Sequence, residues 1–266
     1  MTLTTRTLES REVQRSDDTT IRYTASGPVG GPTVVLVHGW ACSRRDYDVL
    51  TGFLPAGYRV IAVDLAEHGE SRSTRDVWTM RAFAHDVVAV LEAESVDECV
   101  IAGHSLGGAV VVEVARLLPR VVTHIITFDS LHYLFLFGAM DEHQVDEVMA
   151  PAREDFAGLV RSMVDAGSPP ATDAALKEAL FEKMVVVRQP AGIEAFEGLL
   201  AWDMDEALAE AKQPITMFGV RELVTPEALD HLGARVDIVL VDLGTHHFPT
   251  ESPEATARLI ADVVGG

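Results

Sequence analysis

Short, almost continuous apolar runs alternate with stretches of helical length over most of this chain. The runs lie at residues 33–37, 58–63, 98–102, 124–128, 214–219 and 237–243, and helical patterns occupy 80–91, 106–118 and 253–264. Strands that are buried on both faces have this composition, and such strands belong to parallel sheets covered by helices. The alternation therefore predicts an α/β fold, a doubly wound and mostly parallel sheet.

One long segment, residues 132–212, breaks this alternation. It has no convincing strand, and its helical patterns are separated by Gly/Pro-containing stretches at 167–170 and 189–192. We expect a helical cap here, inserted into a core formed by residues 1–131 and 213–266. Large apolar side chains in the cap either form its own core or line an apolar substrate pocket. The candidate pocket residues are Trp40, His132, Phe135, Phe137, Met140 and Trp202.

The charge balance limits the partners of the protein. The 266 residues include 41 acidic and 21 basic side chains, which gives a net charge of −20. A surface this negative repels phosphate backbones and anionic lipid headgroups. We therefore expect a small-molecule substrate and neither nucleic acid nor a membrane as a partner, while the oligomeric state stays open. The polar N-terminal stretch lacks the apolar core of a signal peptide, so a cytoplasmic location is expected.

The two cysteines, Cys42 and Cys99, lie far apart in the chain and form no C-x-x-C pattern. Their number is too small for a disulfide framework or a structural zinc site of the usual spacing. We therefore expect no metal, and we interpret Cys42 as a small apolar side chain that fills space.

The segment GHSLGG at residues 103–108 is the strongest motif in the sequence. It follows an apolar run and precedes a helical pattern, which is the context of a G-x-S-x-G nucleophile elbow. A serine at such a sharp strand-to-helix turn has strained backbone, and the glycines beside it leave room for the chain. The motif predicts that Ser105 is a nucleophile. Phosphate-binding turns are also glycine-rich, but the G-x-G-x-x-G pattern and the P-loop lysine are both missing.

A serine hydroxyl needs a base, and the base needs an acid to orient it. His246 and His247 follow the last predicted strand, and adjacent side chains point in different directions, so one of them is a bystander. Asp129 ends the run that follows the elbow helix, where an unpaired carboxylate would be costly. Glu222 follows the next predicted strand and is the alternative acid. For the oxyanion we expect two backbone N–H donors, those of Trp40 and Leu106.

These residues together resemble the α/β-hydrolase superfamily. The matching segments are HGW at 38–40, DLAEHGES at 64–71, GHSLGG at 103–108, FDSLH at 128–132 and HHFP at 246–249. The resemblance implies the α/β-hydrolase fold and favours His247 as the base, since His-Phe-Pro is its usual setting. The usual acid position of the family holds Glu222, and Asp129 matches a less common variant, which we favour.

The resemblance implies a serine esterase or lactonase that bears a cap and needs no cofactor. We expect a small, largely apolar ester or lactone to be cleaved through an acyl-enzyme on Ser105. Cofactor-free dioxygenases that cleave 3-hydroxy-4-quinolone rings are similar and provide the alternative function. In those proteins a histidine and a tryptophan follow the elbow serine at positions that Leu106 and Ala109 occupy here. A perhydrolase or haloperoxidase side activity and a ligand receptor are further alternatives.

Overall fold

A computed structural model describes residues 6–266, and the first five residues of the polar N-terminal stretch lie outside this range. Its eight strands are β1 Glu9–Gln14, β2 Thr20–Ser26, β3 Thr33–Val37, β4 Arg59–Val63, β5 Cys99–His104, β6 Val122–Phe128, β7 Ile215–Val220 and β8 Asp237–Val241. They form one sheet in the order β1-β2-β4-β3-β5-β6-β7-β8. From β4 to β8 every neighbouring pair in this order is parallel. Strand β2 pairs antiparallel with both of its neighbours, β1 and β4. The predicted doubly wound α/β sheet is confirmed.

The middle of the sheet is buried on both faces, as its apolar runs predicted. Every residue of β4, β5 and β7 is buried, and Val35 of β3 pairs with Ile61 on one side and Ile101 on the other. Two hydrophobic clusters cover the opposite faces of the sheet. The antiparallel edge was missed, because β1 is almost wholly exposed and β2 alternates between partly and fully buried positions.

Eleven α-helices lie within residues 6–266. They are α1 Asp48–Phe53, α2 Met80–Ala93, α3 Leu106–Leu117, α4 Glu142–Glu154, α5 Phe156–Ala166, α6 Ala174–Met184, α7 Ala191–Leu200, α8 Met204–Glu210, α9 Pro226–Leu232, α10 Phe248–Glu251 and α11 Pro253–Gly265. Short 3-10 turns occupy Arg44–Tyr47 and Leu134–Leu136. None of the helices in this range is both long and apolar enough to cross a membrane.

Helices α4 to α8 all lie in the segment between β6 and β7, where the sequence predicted helices and no strand. Four of the five begin at an aspartate whose carboxylate accepts a hydrogen bond from a backbone N–H of the first turn. This is a strong N-terminal signal for a helix. Helix α7 begins inside the stretch that we expected to separate helices, with Pro190 just before its first residue. The division of the chain into a core and a cap stays a prediction.

The loop that follows β4 braces the turn that follows β3. Asp64 is fully buried, forms an ion pair with Arg44, and accepts hydrogen bonds from the backbone N–H groups of Arg44 (2.7 Å) and Glu70 (2.8 Å). His38 Nε2 accepts a hydrogen bond from the Leu65 N–H at 3.0 Å. These contacts hold residue 38 and the turn after it in a fixed position beside the elbow.

Candidate active site

Ser105 occupies a strained turn between β5 and α3. Its φ is 53° and its ψ is −123°, and residues other than glycine rarely adopt a positive φ. The Ser105 N–H donates to the Phe128 carbonyl (3.1 Å), and the Ser105 carbonyl accepts from the Gly108 N–H (2.8 Å). A Cβ at Gly107 would collide with the backbone carbonyls of Val37 and His38. The spacing of the motif is therefore a steric requirement of the turn.

Asp129 is fully buried at the end of β6, and its carboxylate has several polar neighbours. Oδ1 accepts the Val220 N–H at 2.7 Å, and Oδ2 accepts the Tyr133 hydroxyl at 3.1 Å. His246 Nδ1 lies 2.6 Å from Oδ2. Burial alone would raise the pKa of Asp129, but the imidazoles of His132 and His246 lower it further than burial raises it. The carboxylate is therefore held in its ionised form.

The structure pairs His246, not His247, with the buried carboxylate. This differs from the preference that the His-Phe-Pro setting suggested. The carboxylate can only accept, so His246 Nδ1 carries the proton and Nε2 keeps its lone pair. The neighbouring His247 precedes α10 and turns toward His104, with ring centroids 5.3 Å apart. Burial lowers the pKa of His247 well below its ordinary value, so this imidazole is neutral.

Two further side chains contact this pair, and one of them was missed in the sequence. The Tyr133 hydroxyl lies 2.8 Å from His246 Nδ1 as well as 3.1 Å from Asp129. His132 Nε2 lies 3.2 Å from Asp129 Oδ1, at an angle that leaves it without a hydrogen bond. Tyr133 belongs to none of the sequence motifs. Only its position four residues after Asp129 could have suggested that it reaches the same carboxylate.

The end of helix α5 holds the loop that carries His246 in place. The His246 N–H donates to the Gly167 carbonyl at 2.7 Å, at the C-terminal end of α5. A Cβ at Gly167 would lie 2.8 Å from His246 Cβ, which is closer than real carbon contacts allow. Glycine at position 167 therefore permits the approach that fixes His246. The GSPP stretch at 167–170 was predicted only as a helix separator.

The turn after β3 approaches the serine closely, as expected for the source of an oxyanion donor. A Cβ at Gly39 would lie 3.0 Å from Ser105 Cβ and 2.8 Å from His104 Nδ1. Trp40 follows Gly39, and Leu106 begins α3 directly after the serine. Trp40 and Leu106 thus belong to two segments of backbone that meet at Ser105. The Trp40 indole donates to the Gly192 carbonyl at 2.6 Å, which ties this turn to α7.

A cavity of about 260 Å³ lies over the serine. Ser105 and His246 both line it. Its other walls are mostly apolar and come from the turn after β3, the chain after β6 and the inserted helices: Trp40, Leu106, Tyr133, Phe135, Leu136, Met163, Met184, Phe196 and Leu199. His104, Ser130, Ala166, Gly167 and His247 complete the lining. The cavity is therefore mostly apolar, and a molecule bound in it would be exposed to the Ser105 hydroxyl and the His246 imidazole.

Of the predicted pocket residues, Trp40 and Phe135 line this cavity and four others do not. His132 is buried beside Asp129. Phe137 stacks on His231 with ring centroids 4.1 Å apart, and Trp202 is buried with its indole N–H donating to Glu113 at 2.9 Å. Met140 donates its backbone N–H to the Leu200 carbonyl, and its side chain packs on the hydrophobic core. Residue size alone could not separate lining residues from the core of the inserted segment.

Glu222, the alternative acid, lies on the surface after β7. It lines a shallow outer depression together with Asp242 and Gly244, away from the cavity that contains Ser105. No hydrogen bond within the described part of the chain joins it to His246 or His247. The structure therefore brings Asp129, and not Glu222, next to a candidate base.

The model of the alpha/beta hydrolase family matches residues 34–259, which is most of the sequence. The chain belongs to the alpha/beta hydrolase family. A solved structure, a hydrolase from Pseudomonas aeruginosa PA01, superimposes with a TM-score of 0.81 over 97% of this chain and 98% of its own. At 19% sequence identity, that likeness shows the fold alone.

Curated relatives of this alpha/beta hydrolase carry names of several different activities. A non-heme chloroperoxidase from Streptomyces lividans is 43% identical over 109 residues, and a bifunctional esterase/perhydrolase from Acinetobacter calcoaceticus is 39% identical over 109 residues. Each match covers 41% of this chain and 38% of the relative. The similarity therefore spans well under half of the relatives' length.

Proposed function

We propose that this alpha/beta hydrolase is a serine hydrolase of small, largely apolar carboxylic esters or lactones. One observation carries the proposal. Asp129 holds His246 through Nδ1 at 2.6 Å, while His246 and the strained Ser105 line the same cavity. This supports the roles of nucleophile for Ser105, base for His246 and orienting acid for Asp129. The esterase among its curated relatives supports the same reaction class.

The proposed reaction uses both nitrogens of His246. Nε2 takes the proton from Ser105 while Oγ attacks the substrate carbonyl, and Asp129 stabilises the imidazolium that forms. The N–H groups of Trp40 and Leu106 donate to the developing oxyanion. Imidazolium then protonates the leaving alcohol, which leaves an acyl group on Ser105. A water molecule deprotonated by His246 attacks this acyl group, releases the carboxylic acid and restores the serine.

The cavity supports a small substrate. Its volume of about 260 Å³ is slightly below the range of roughly 300–1,000 Å³ that is typical of ligand pockets. The apolar side chains Phe135, Met163, Met184 and Phe196 offer such a group dispersion contacts and few hydrogen bonds. We therefore expect short acyl chains or small lactones to be preferred, with hydrolysis falling as the acyl chain lengthens.

The experiment is hydrolysis of p-nitrophenyl esters of increasing chain length, and of small lactones, by the wild type and by Ser105→Ala. We expect turnover of short-chain substrates that Ser105→Ala abolishes, with a folded circular dichroism spectrum in both proteins. Oxygen uptake with a 3-hydroxy-4-quinolone is measured in parallel. Ring cleavage that survives Ser105→Ala, without ester hydrolysis in the wild type, would overturn the proposal in favour of the dioxygenase.

Perhydrolysis is the second candidate, because the chloroperoxidase and the esterase/perhydrolase are both similar to this chain. Hydrogen peroxide would replace water in the second step: its oxygen attacks the acyl-serine, the serine oxygen takes the proton through His246, and a peracid leaves. The peracid can then oxidise a halide in solution. Peracid formed from a short ester plus peroxide, and lost in Ser105→Ala, would establish this activity beside hydrolysis.

A further inference from the structure

Three buried side chains that the proposed reaction does not use as nucleophile, base or acid lie together beside the cavity. They are Cys42 in the turn after β3, His104 at the end of β5 and His247 in the turn after β8. One ligand atom from each, the Cys42 sulfur and one ring nitrogen of each histidine, lie within 4.8 Å of one another. The fold thus gathers a thiol and two imidazoles from three distant parts of the chain.

The hydrogen bond of His104 leaves one of its nitrogens free for a ligand role. Nε2 lies 2.8 Å from the backbone carbonyl oxygen of His246. A carbonyl oxygen can only accept, so Nε2 carries the hydrogen and Nδ1 has the lone pair. Histidines that bind metals are commonly oriented in this way, through the other ring N–H and a backbone carbonyl.

The environment of Cys42 suits a metal ligand better than a free nucleophile. The side chain is 5% exposed, so solvent does little to stabilise a thiolate there. A metal ion displaces the thiol proton when it binds and supplies the opposite charge. Next to Cys42, Asp46 forms an ion pair with Lys183 at 2.7 Å, so the carboxylate nearest the thiol is already neutralised.

We propose that Cys42, His104 and His247 form a three-ligand site for a soft divalent metal ion, with Zn²⁺ the best match. Thiolate and imidazole are ligands that zinc accepts and that magnesium and calcium do not prefer. Zinc–sulfur and zinc–nitrogen bonds of tetrahedral geometry place ligand atoms about 3.3 to 3.6 Å apart. The three ligand atoms, which lie within 4.8 Å of one another, must therefore approach by about 1 Å when the ion binds.

Two cavities give the site access to solvent and an open coordination position. His104 and His247 line the cavity over Ser105, while Cys42 and Lys183 line a second cavity of about 240 Å³ on the other side. The fourth ligand is then a water molecule or a group that enters from the cavity over Ser105. Binding releases one proton from Cys42 to solvent and forms one metal–sulfur bond. Cys42, His104 and His247 are far apart in the sequence and match no metal-binding motif, so the sequence predicted no metal.

The test is a spectroscopic titration of the metal-free 266-residue chain with Co²⁺, which gives a thiolate-to-cobalt absorption band when it binds cysteine. Cys99, the other cysteine, is also buried and provides the matched control. We expect one equivalent of Co²⁺ to produce the band in the wild type and in Cys99→Ser, and Zn²⁺ to displace it. The band should vanish in Cys42→Ser, and His247→Gln should weaken cobalt binding at least 10-fold.

Two outcomes overturn the proposal. One is a wild-type protein with no thiolate–cobalt band, a result that needs no variant and is unaffected by misfolding. The other is a band that persists in Cys42→Ser or disappears in Cys99→Ser. Circular dichroism of each variant without metal distinguishes a lost ligand from a lost fold. The titration measures metal binding directly, so its result is independent of whether Ser105 hydrolyses esters.

Discussion

The buried pair His38 and His68 should make the protein lose stability in mild acid. Their ring centroids lie 5.3 Å apart, and both residues are 1% exposed. His38 Nδ1 donates to the Gly39 carbonyl at 2.7 Å, and Nε2 accepts from the Leu65 N–H at 3.0 Å. A second proton on His38 would therefore face an N–H donor. Burial lowers the pKa of His38 to about 4 and that of His68 to about 3.

The sign and size of the effect follow from these pKa values. In the unfolded chain both histidines take up a proton near their ordinary pKa of about 6.5, whereas the folded protein keeps them neutral until about pH 4. Between these values the unfolded state binds more protons, so the free energy of unfolding decreases as the pH falls. From pH 6 to pH 5 each histidine contributes a loss of about 1 kcal/mol, and the pair about 2 kcal/mol. A typical domain has only about 5–15 kcal/mol in total.

The assay is urea unfolding at pH 7, 6 and 5 of the wild type and His38→Gln. Glutamine does not titrate, and its carbonyl oxygen can accept the Leu65 N–H in place of Nε2. We expect the wild type to lose about 1 kcal/mol more than His38→Gln between pH 6 and pH 5. His143→Gln is the control for replacing a histidine by glutamine, because that side chain is 81% exposed. Equal losses in the wild type and His38→Gln would refute the reasoning.

Three further predictions test the site and its surroundings. Asp129→Asn should lower kcat about 10⁴-fold in ester hydrolysis, because an amide at that position no longer fixes the tautomer of His246; an unchanged kcat would contradict the role of Asp129. Gly167→Ala should lower kcat by about 100-fold through displacement of His246, and Gly57→Ala, whose Cβ meets open space, should not. Trp202→Phe should lower the free energy of unfolding by about 2 kcal/mol, since Glu113 loses a buried hydrogen bond, and leave KM unchanged, because Trp202 does not line the cavity.

The fold could be predicted because its central strands are buried on both faces. The run at 33–37 has one polar residue, Thr33, at its start, and the strand observed there, Thr33–Val37, has the predicted bounds. The edge strand β1 is solvent-exposed, so its composition resembles that of a loop. The start of α7 at Ala191 was obscured by Pro190 and Gly192, which are turn residues in most contexts.

The candidate site was predictable where one residue imposes a local shape, and not where distant residues meet. The turn at Ser105 needs glycine at position 107 for steric reasons that the sequence displays. The choice between His246 and His247 depends on which ring the turn directs toward Asp129, and two adjacent identical residues carry no such information. Gly167 reaches His246 through the packing of distant segments, and Tyr133 offers only its position four residues after Asp129 as a signal.

The central claim is that Asp129 and His246 activate Ser105, and its most direct test is the rate of covalent labelling by a fluorophosphonate. Intact-protein mass spectrometry follows one adduct per chain in the wild type, Ser105→Ala, His246→Gln and His247→Gln. We predict an adduct that is lost in Ser105→Ala and a labelling rate that His246→Gln lowers at least 100-fold more than His247→Gln does. A larger loss in His247→Gln, or an adduct that persists in Ser105→Ala, would contradict the account.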